Sequence, residues 1–170
     1  MAAAFIAGVA MTDIGWHEQD PHDMGARVCA EALRDAGLRR AKVDGLISTT
    51  HGYMYGTRKM ITQRMADYLG VECGLMLDID SGGKSSSGAV HIARDRIQGG
   101  RIKSCLVFAA QREVPPRRIR NDIVGHFHLI KAANSLYDSY QAAYGVISPL
   151  PFYAMALPVS STHLTLPTNY

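Results

Sequence analysis

The stretch from Leu75 to Ala110 reads LMLDIDSGGKSSSGAVHIARDRIQGGRIKSCLVFAA, and it decides the fold. An apolar run leads into a turn of glycines and serines, then apolar residues recur at helical spacing until Gly99 and Gly100, and a second apolar run follows. This order predicts a strand, a helix and another strand in one βαβ unit. Gly82 and Gly83 fall where the first strand ends and the helix begins. Unpaired backbone N–H groups and the positive end of the helix dipole favour an anionic ligand at such a turn.

Two chemistries use such a turn. Gly83, Lys84 and Ser85 match the GK[ST] end of a phosphate-binding Walker A loop. That motif also needs a glycine five positions before Gly83, where the sequence has Asp78, and Asp80 lies inside the same loop. Two carboxylates oppose a triphosphate, so nucleotide binding by GGKSSS is the less favoured interpretation. The favoured one is a nucleophile turn for acyl transfer, in which the helix N-terminus stabilises a thiolate or an oxyanion.

The residues around this turn resemble a known family. Residues 81–113, SGGKSSSGAVHIARDRIQGGRIKSCLVFAAQRE, are similar to the nucleophile turn and helix of the thiolase superfamily, especially its lipid-transfer or sterol-carrier members. The similarity extends to three earlier segments and a later one: AFIAGVAMTDIG, ARVCAEALRDAGLRRAKVDGLISTT, MITQRMADYLGVE and YQAAYGVISPLPFYAMA. Together they cover most of residues 3–156. The resemblance implies the N-terminal half of a thiolase-like fold.

The sequence departs from this family at the nucleophile. When Ala89 and Ala93 are aligned with the small residues of the family helix, the family cysteine falls on Gly83. Glycine cannot form an acyl-enzyme. The resemblance therefore implies the other parts of the family's site without the covalent step. These parts are the helix N-terminus, backbone donors and nearby hydroxyls. The candidate hydroxyls belong to Ser81, Ser85, Ser86 and Ser87.

A serine could replace the cysteine as nucleophile, but the sequence identifies no base for it. Ser81 or Ser85 is better explained as a cap of the helix. The other candidate binding residues, for a coenzyme A thioester, are Gly82 and Lys84 in the turn and a later arginine cluster: Arg117, Arg118 and Arg120. A solvated loop is the simpler explanation of those arginines.

The resemblance also implies an activity. Family members without the cysteine include retro-aldolases that act on acyl-CoA thioesters with a separate partner subunit, and non-catalytic subunits. We therefore expect a protein that binds or acts on acyl-CoA, by acyl transfer or carbon–carbon bond chemistry in the intact protein, with no covalently bound cofactor. A non-catalytic subunit of a hetero-oligomer is the alternative. The expected partners are acyl-CoA and further subunits of a homo- or hetero-oligomer, including a small acyl-CoA-binding protein.

Composition narrows the class of protein. The 170 residues are 47% hydrophobic and 19% charged, which is enough for a packed core and argues against disorder. A formal net charge of +3 does not indicate nucleic acid. Three cysteines without CxxC spacing indicate reduced packing residues, and no apolar run reaches transmembrane length. We expect a cytoplasmic protein with no metal site, and a turn with a helix cap explains the histidines and aspartates of residues 17–23.

The wider pattern predicts an α/β fold with αβα layers and a parallel or mixed sheet of four to five strands. Strands are predicted at Phe5 to Met11, Val43 to Thr49, Leu75 to Ile79 and Cys105 to Ala110, with amphipathic helices between them. The small residues Ala89 and Ala93 predict close approach by a helix of a partner. We place the thiolase-like core at residues 1–113, a loop or insert of the same domain at 114–157, and an atypical tail, truncated or foreign, at 158–170.

Overall fold

The structure, a computed structural model, describes residues 3–15, 17–49, 60–110, 144, 151 and 153–155. The chain divides into two compact units, Met1–Arg117 and Arg118–Tyr170. The described helices of the first unit are α1 (Pro21–Asp35), α2 (Ile61–Leu69) and α3 (Ser85–Gln98), and its described strands are β1 (Gly45–Ser48), β2 (Leu75–Asp78) and β3 (Cys105–Phe108). A short 3-10 turn, Arg40–Lys42, precedes β1. In the second unit, residues 151 and 153–155 are helical.

The three described strands form one parallel sheet in the order β2-β1-β3. Gly45 begins the central strand, with Leu75 opposite it on one side and Cys105 on the other. Helices α1 and α2 lie on one face of the sheet and α3 lies on the other. The predicted αβα layers and parallel sheet are therefore confirmed. The described strands are three, fewer than the four to five expected.

The predicted strand from Phe5 to Met11 is wrong. This segment has no regular secondary structure, and its large side chains are exposed: Phe5 (83%), Ile6 (78%), Val9 (70%) and Met11 (72%). Instead of pairing with a strand, the backbone N–H of Val9 donates to Asp35 Oδ2 at 2.9 Å. Gly8 lies so close to α1 that an added Cβ would be 2.4 Å from the Ala32 carbonyl oxygen. An apolar run alone does not distinguish a strand from an extended segment on a helix.

The larger core fills the space between α1, α2 and the sheet. It contains Ala26, Cys29, Leu33, Val43, Leu46, Met65, Ala66, Leu69, Val71, Leu106 and Phe108. Helix α1 begins as expected from a turn and cap, because Asp20 Oδ1 accepts the His22 N–H at 2.8 Å and Pro21 is the first helical residue. Gly70, with φ of 64°, ends α2 in the left-handed conformation that glycine adopts without steric cost.

The core on the other face of the sheet is smaller. Its buried members are Ile47, Ala89 and Ala93. The two alanines pack α3 against the sheet, so the prediction that they form a surface for a partner helix is wrong. The small side chains of Ala89 and Ala93 allow α3 to lie close to Ile47. Within the part of the chain that the structure describes, no helix has the length and apolar character needed to span a membrane.

Candidate functional site

The candidate site lies at the carboxyl edge of the parallel sheet, where α3 begins. Beyond the end of β1, the Thr49 N–H donates to the Phe108 carbonyl oxygen at 2.9 Å, and the Ile79 N–H donates to the Ser48 carbonyl oxygen at 2.8 Å. The three strands therefore end together. The chain leaves β2 through residues 79–84 and enters α3 at Ser85. Ligands of open α/β sheets bind at this edge.

The turn before α3 is closed by a buried serine. Ser85 is 2% exposed, and its hydroxyl accepts the Ser81 N–H and donates to the Gly82 carbonyl oxygen, both at 2.8 Å. Gly82 has a φ of 62°, which favours glycine. The N-cap residue of α3 is Lys84, and no side chain caps this helix. The expectation that Ser81 or Ser85 caps the helix is therefore wrong, because Ser85 fixes the turn instead.

Gly83, the position of the family nucleophile, is exposed and sterically open. No atom lies within 4 Å of an added Cβ, and its φ is outside the left-handed region. The local fold therefore does not require glycine here, and a residue with a side chain fits without strain. The turn therefore has room for a side chain at position 83.

The other hydroxyls lie on the first turn of α3. Ser87 Oγ donates to the Lys84 carbonyl oxygen at 3.1 Å, which leaves it engaged with the backbone. Ser86 is exposed, and its Oγ lies 3.4 Å from Thr49 Oγ1. Thr49 is 3% exposed and also donates to the Phe108 carbonyl oxygen at 3.4 Å. Thr49 thus connects the end of β1 with β3 and α3, a role that the sequence pattern did not indicate.

Asp78 does not face into the turn as the phosphate-loop argument assumed. Its Oδ1 accepts the backbone N–H of Thr62 at 3.0 Å, and the Thr62 hydroxyl donates to the same oxygen and to the Leu77 carbonyl oxygen. Thr62 is fully buried. The carboxylate therefore holds the first turn of α2 against the end of β2. Nothing in the sequence spacing signalled this pair, since helix α2 and strand β2 meet only in the folded chain.

The candidate CoA-binding residues are only partly within the described structure. Lys84 is exposed at the turn, and its ammonium group has no ion pair among the described residues. Arg117, Arg118 and Arg120 lie outside the described residues. Among the residues that are described, no group of three or more His, Cys, Asp or Glu side chains is arranged to hold a metal ion.

None of the three cysteines replaces the missing thiol. Burial raises the pKa of Cys29 to about 12, and burial followed by the charge of Cys73 raises the pKa of Cys105 to about 12. Burial and then the nearby Asp44 carboxylate raise the pKa of Cys73 as well. Thiols with raised pKa values are protonated at neutral pH and are poor nucleophiles. All three are free and belong to the packing of the sheet.

The chain is similar to known proteins over part of its length. No family model matches the chain. The mycobacterial β-ketoacyl-[acyl-carrier-protein] synthase III of Mycobacterium tuberculosis is 30% identical over 98 residues, which are 58% of this chain and 29% of that protein. The chain thus spans less than a third of the length of the curated relatives it matches.

Two solved structures share the fold of the chain. The Ltp2-ChsH2(DUF35) aldolase has a TM-score of 0.53 and 23% identity, over 65% of this chain and 28% of that chain. The priming β-ketosynthase from the R1128 polyketide pathway has a TM-score of 0.51 and 24% identity, over 58% of this chain and 29% of that chain. With the αβα layers of the described residues, these similarities show that the chain has a thiolase-like α/β fold.

Proposed function

We propose that the intact protein is a thiolase-like protein of the lipid-transfer type, which binds acyl-CoA thioesters at the carboxyl edge and acts without a covalent acyl-enzyme. The open position at Gly83 carries this proposal. The turn lies between β2 and the N-terminus of α3, and the space within 4 Å of an added Cβ at Gly83 is empty. A thioester carbonyl therefore has room to approach the backbone and the N-terminus of α3.

Retro-aldol cleavage suits such a site. The hydroxyl proton of a β-hydroxyacyl thioester passes to a base, the bond between Cα and Cβ breaks, and a carbonyl product leaves. The electron pair of the broken bond forms the thioester enolate, which is then protonated at Cα. The positive end of the α3 dipole favours the negative charge on the enolate oxygen. Residues 78–88 contain no histidine, so we assign the base to another part of the intact protein or to a partner.

The relatives support the class of substrate and partner. The M. tuberculosis relative is named for acyl-carrier-protein chemistry, and the aldolase structure is named for two proteins, Ltp2 and ChsH2. We propose by analogy a cytoplasmic homo- or hetero-oligomer with a small acyl-CoA-binding subunit. Lys84, together with Arg117, Arg118 and Arg120, is proposed to meet the phosphates of coenzyme A.

The second candidate function is that of a non-catalytic thiolase-like subunit. The hydroxyl that closes the turn, that of Ser85, is buried and engaged in two hydrogen bonds, so it is not available for catalysis. Nucleotide binding by GGKSSS is less well supported. The N–H groups of Ser81 and Ser85 are already bonded within the turn, to Ser85 Oγ and the Gly82 carbonyl oxygen, and are not free to cradle a phosphate.

The test combines ligand stabilisation with intact-mass analysis of the full chain. A CoA thioester should raise the melting temperature while ATP with magnesium has little effect, because a ligand stabilises only the state that binds it. The mass of the protein should stay unmodified. Gly83→Leu should abolish the CoA effect by filling the open space, whereas Gly74→Leu, at an equally open glycine before β2, should retain it.

Three outcomes contradict the proposal. The first is a stable acyl adduct on a serine of residues 81–87, which indicates a serine acyltransferase. The second is a large shift with ATP and magnesium that Lys84→Ala removes, which indicates a nucleotide site. The third is the absence of any shift with millimolar CoA thioester.

A further inference from the structure

The amino edge of the sheet, opposite the candidate site, carries a cluster of exposed positive side chains. They lie in the segments before β1 and β3 and in the last turn of α3: Arg39, Arg40, Lys42, Arg96, Arg101 and Lys103. Hydrogen bonds join the two loops. The Lys103 N–H donates to Asp44 Oδ2 at 2.7 Å, and the Ser104 hydroxyl donates to the Lys42 carbonyl oxygen. The six side chains, called the basic edge below, therefore belong to one surface.

The charge of the basic edge is not neutralised by neighbouring carboxylates. In the described part of the chain, none of the six side chains forms an ion pair, and the ion pair that is present joins Arg94 to Asp95 at 2.9 Å. Asp44 is engaged with the backbone of Lys103. Glu72 is exposed in the loop before β2, at the far side of the same edge. Positive charge therefore exceeds negative charge on this surface.

Interaction with helix C-termini accounts for two of the positive side chains of the basic edge but not for all of them. Arg40 Nη1 donates to the Leu69 carbonyl oxygen at 3.3 Å and so serves the C-terminus of α2. Arg96 lies in the last turn of α3, where a cation complements the dipole. Arg101 and Lys103 lie outside the described helices, and Lys42 ends a 3-10 turn of only three residues, whose dipole is small. Their charge needs another explanation.

The shape of the surface indicates the size of its ligand. Around the end of α3, the chain forms a shallow, open depression lined by Ile92, Asp95, Arg96, Gly99 and Arg101. Small-molecule sites are concave and enclose most of the ligand, which this depression does not. The depression combines the apolar side chain of Ile92 with the guanidinium groups of Arg96 and Arg101, and its one carboxylate, that of Asp95, is paired with Arg94. This combination suits a protruding acidic segment of a macromolecule, since arginine binds carboxylates in a bidentate manner.

We propose that the basic edge docks an acidic surface of a partner protein. Nucleic acid fits less well, because residues 39–44 and 92–104 contain no aromatic side chain on which a base stacks. The parallel strands begin at the basic edge and end at the opposite edge, so a partner on the basic edge leaves the turn at Gly83 open to its ligand. The electrostatic complementarity increases the association rate and makes binding sensitive to salt.

Binding of the full chain to fluorescently labelled poly-L-glutamate, followed by anisotropy at low and moderate salt, tests this proposal. The variant K42Q/R101Q/K103Q should bind about tenfold more weakly at low salt and depend less on salt, because three charge contacts are lost. The control R27Q/R64Q/R94Q loses the same charge from exposed positions elsewhere and should bind within about twofold of the wild-type chain. The variant K42R/K103R should bind like the wild type.

The outcomes separate a defined surface from general charge attraction. Far-ultraviolet circular dichroism first confirms that the variants are folded, as expected for exposed positions. Equal weakening in both triple variants contradicts a defined surface. Failure of the wild-type chain to bind poly-L-glutamate, or tighter binding of a DNA duplex with the same number of charges, contradicts an acidic protein partner. Loss confined to K42Q/R101Q/K103Q supports it.

Discussion

The two faces of the sheet are covered very differently. Leu46 and Ile47 are adjacent in β1 and both fully buried, yet they belong to different cores. Among the described residues, Leu46 packs under α1 and α2 with ten other buried residues, whereas Ile47 is buried with Ala89 and Ala93 beneath α3. Around Ile47, the strand side chains of the α3 face are only partly buried: Leu75, Leu77, Ile79, Cys105 and Val107.

Within the described residues, the single helix α3 covers its face of the sheet less completely than α1 and α2 cover the other. Burial of apolar area is the main favourable term in folding, so the α1 and α2 face should contribute most of the stability of the described unit. The chain spans less than a third of its curated relatives. We therefore expect further structure of the intact protein, or a second copy of the chain, to cover the α3 face.

The largest expected effect is a difference in stability between two leucine substitutions. Leu46→Ala should lower the free energy of unfolding by about 3 kcal/mol, because it leaves a cavity in the larger core. Leu77→Ala should lower it by about 1 kcal/mol, because this side chain is only partly buried. Urea unfolding of both variants gives the comparison. Equal losses would show that the α3 face is as completely packed as the other.

A smaller effect is expected in self-association. The isolated chain should form oligomers through the incompletely covered α3 face, since exposed apolar area favours association. Val90, 47% exposed on α3, offers a test by Val90→Glu, which should reduce the mass measured by light scattering. Tyr68→Glu is the matched control, because Tyr68 is 58% exposed on α2.

Two results would contradict this account of association. A monodisperse wild-type monomer would mean that the described unit needs no partner on its α3 face. Oligomers unaffected by Val90→Glu would place the contact elsewhere, for which the exposed Phe5 and Ile6 are candidates.

Much of the fold follows from local sequence patterns. The helices are where apolar stripes and glycine stops indicate them, and Gly37 and Gly70 both adopt the left-handed conformation that ends a helix. The strand predicted from Phe5 to Met11 is wrong because the course of this segment depends on its contact with α1, which no local pattern encodes. A run of apolar residues is compatible with both outcomes.

The turn between β2 and α3 is predictable from the sequence, but its contacts are not. Gly83 and the glycine–serine turn are visible in the sequence because they are contiguous with a strand and a helix. The contacts of Thr49 with Ser86, and of Thr62 with Asp78, join residues 37 and 16 positions apart and arise only when the strands align. The role of Ser85 was also missed, since a serine at the start of a helix is more typical of a cap.

The central claim is that the turn at Gly83 can stabilise a negatively charged nucleophile and lacks only the nucleophile itself. Gly83→Cys restores a thiol at a position where no atom lies within 4 Å of the added Cβ. Gly15→Cys is the matched control, because Gly15 is equally open and exposed but precedes no helix directly. The native thiols interfere little, since the pKa values of Cys29 and Cys105 are about 12 and that of Cys73 is raised.

The most direct measurement is the rate of iodoacetamide alkylation of the two variants as a function of pH, followed by intact mass. A thiolate at a helix N-terminus is stabilised by the dipole and by backbone donors. The account predicts that the thiol at position 83 has an apparent pKa at least about one unit below that of the control thiol, with correspondingly faster alkylation at pH 7. An apparent pKa equal to or above that of the control would contradict the claim that this turn stabilises negative charge.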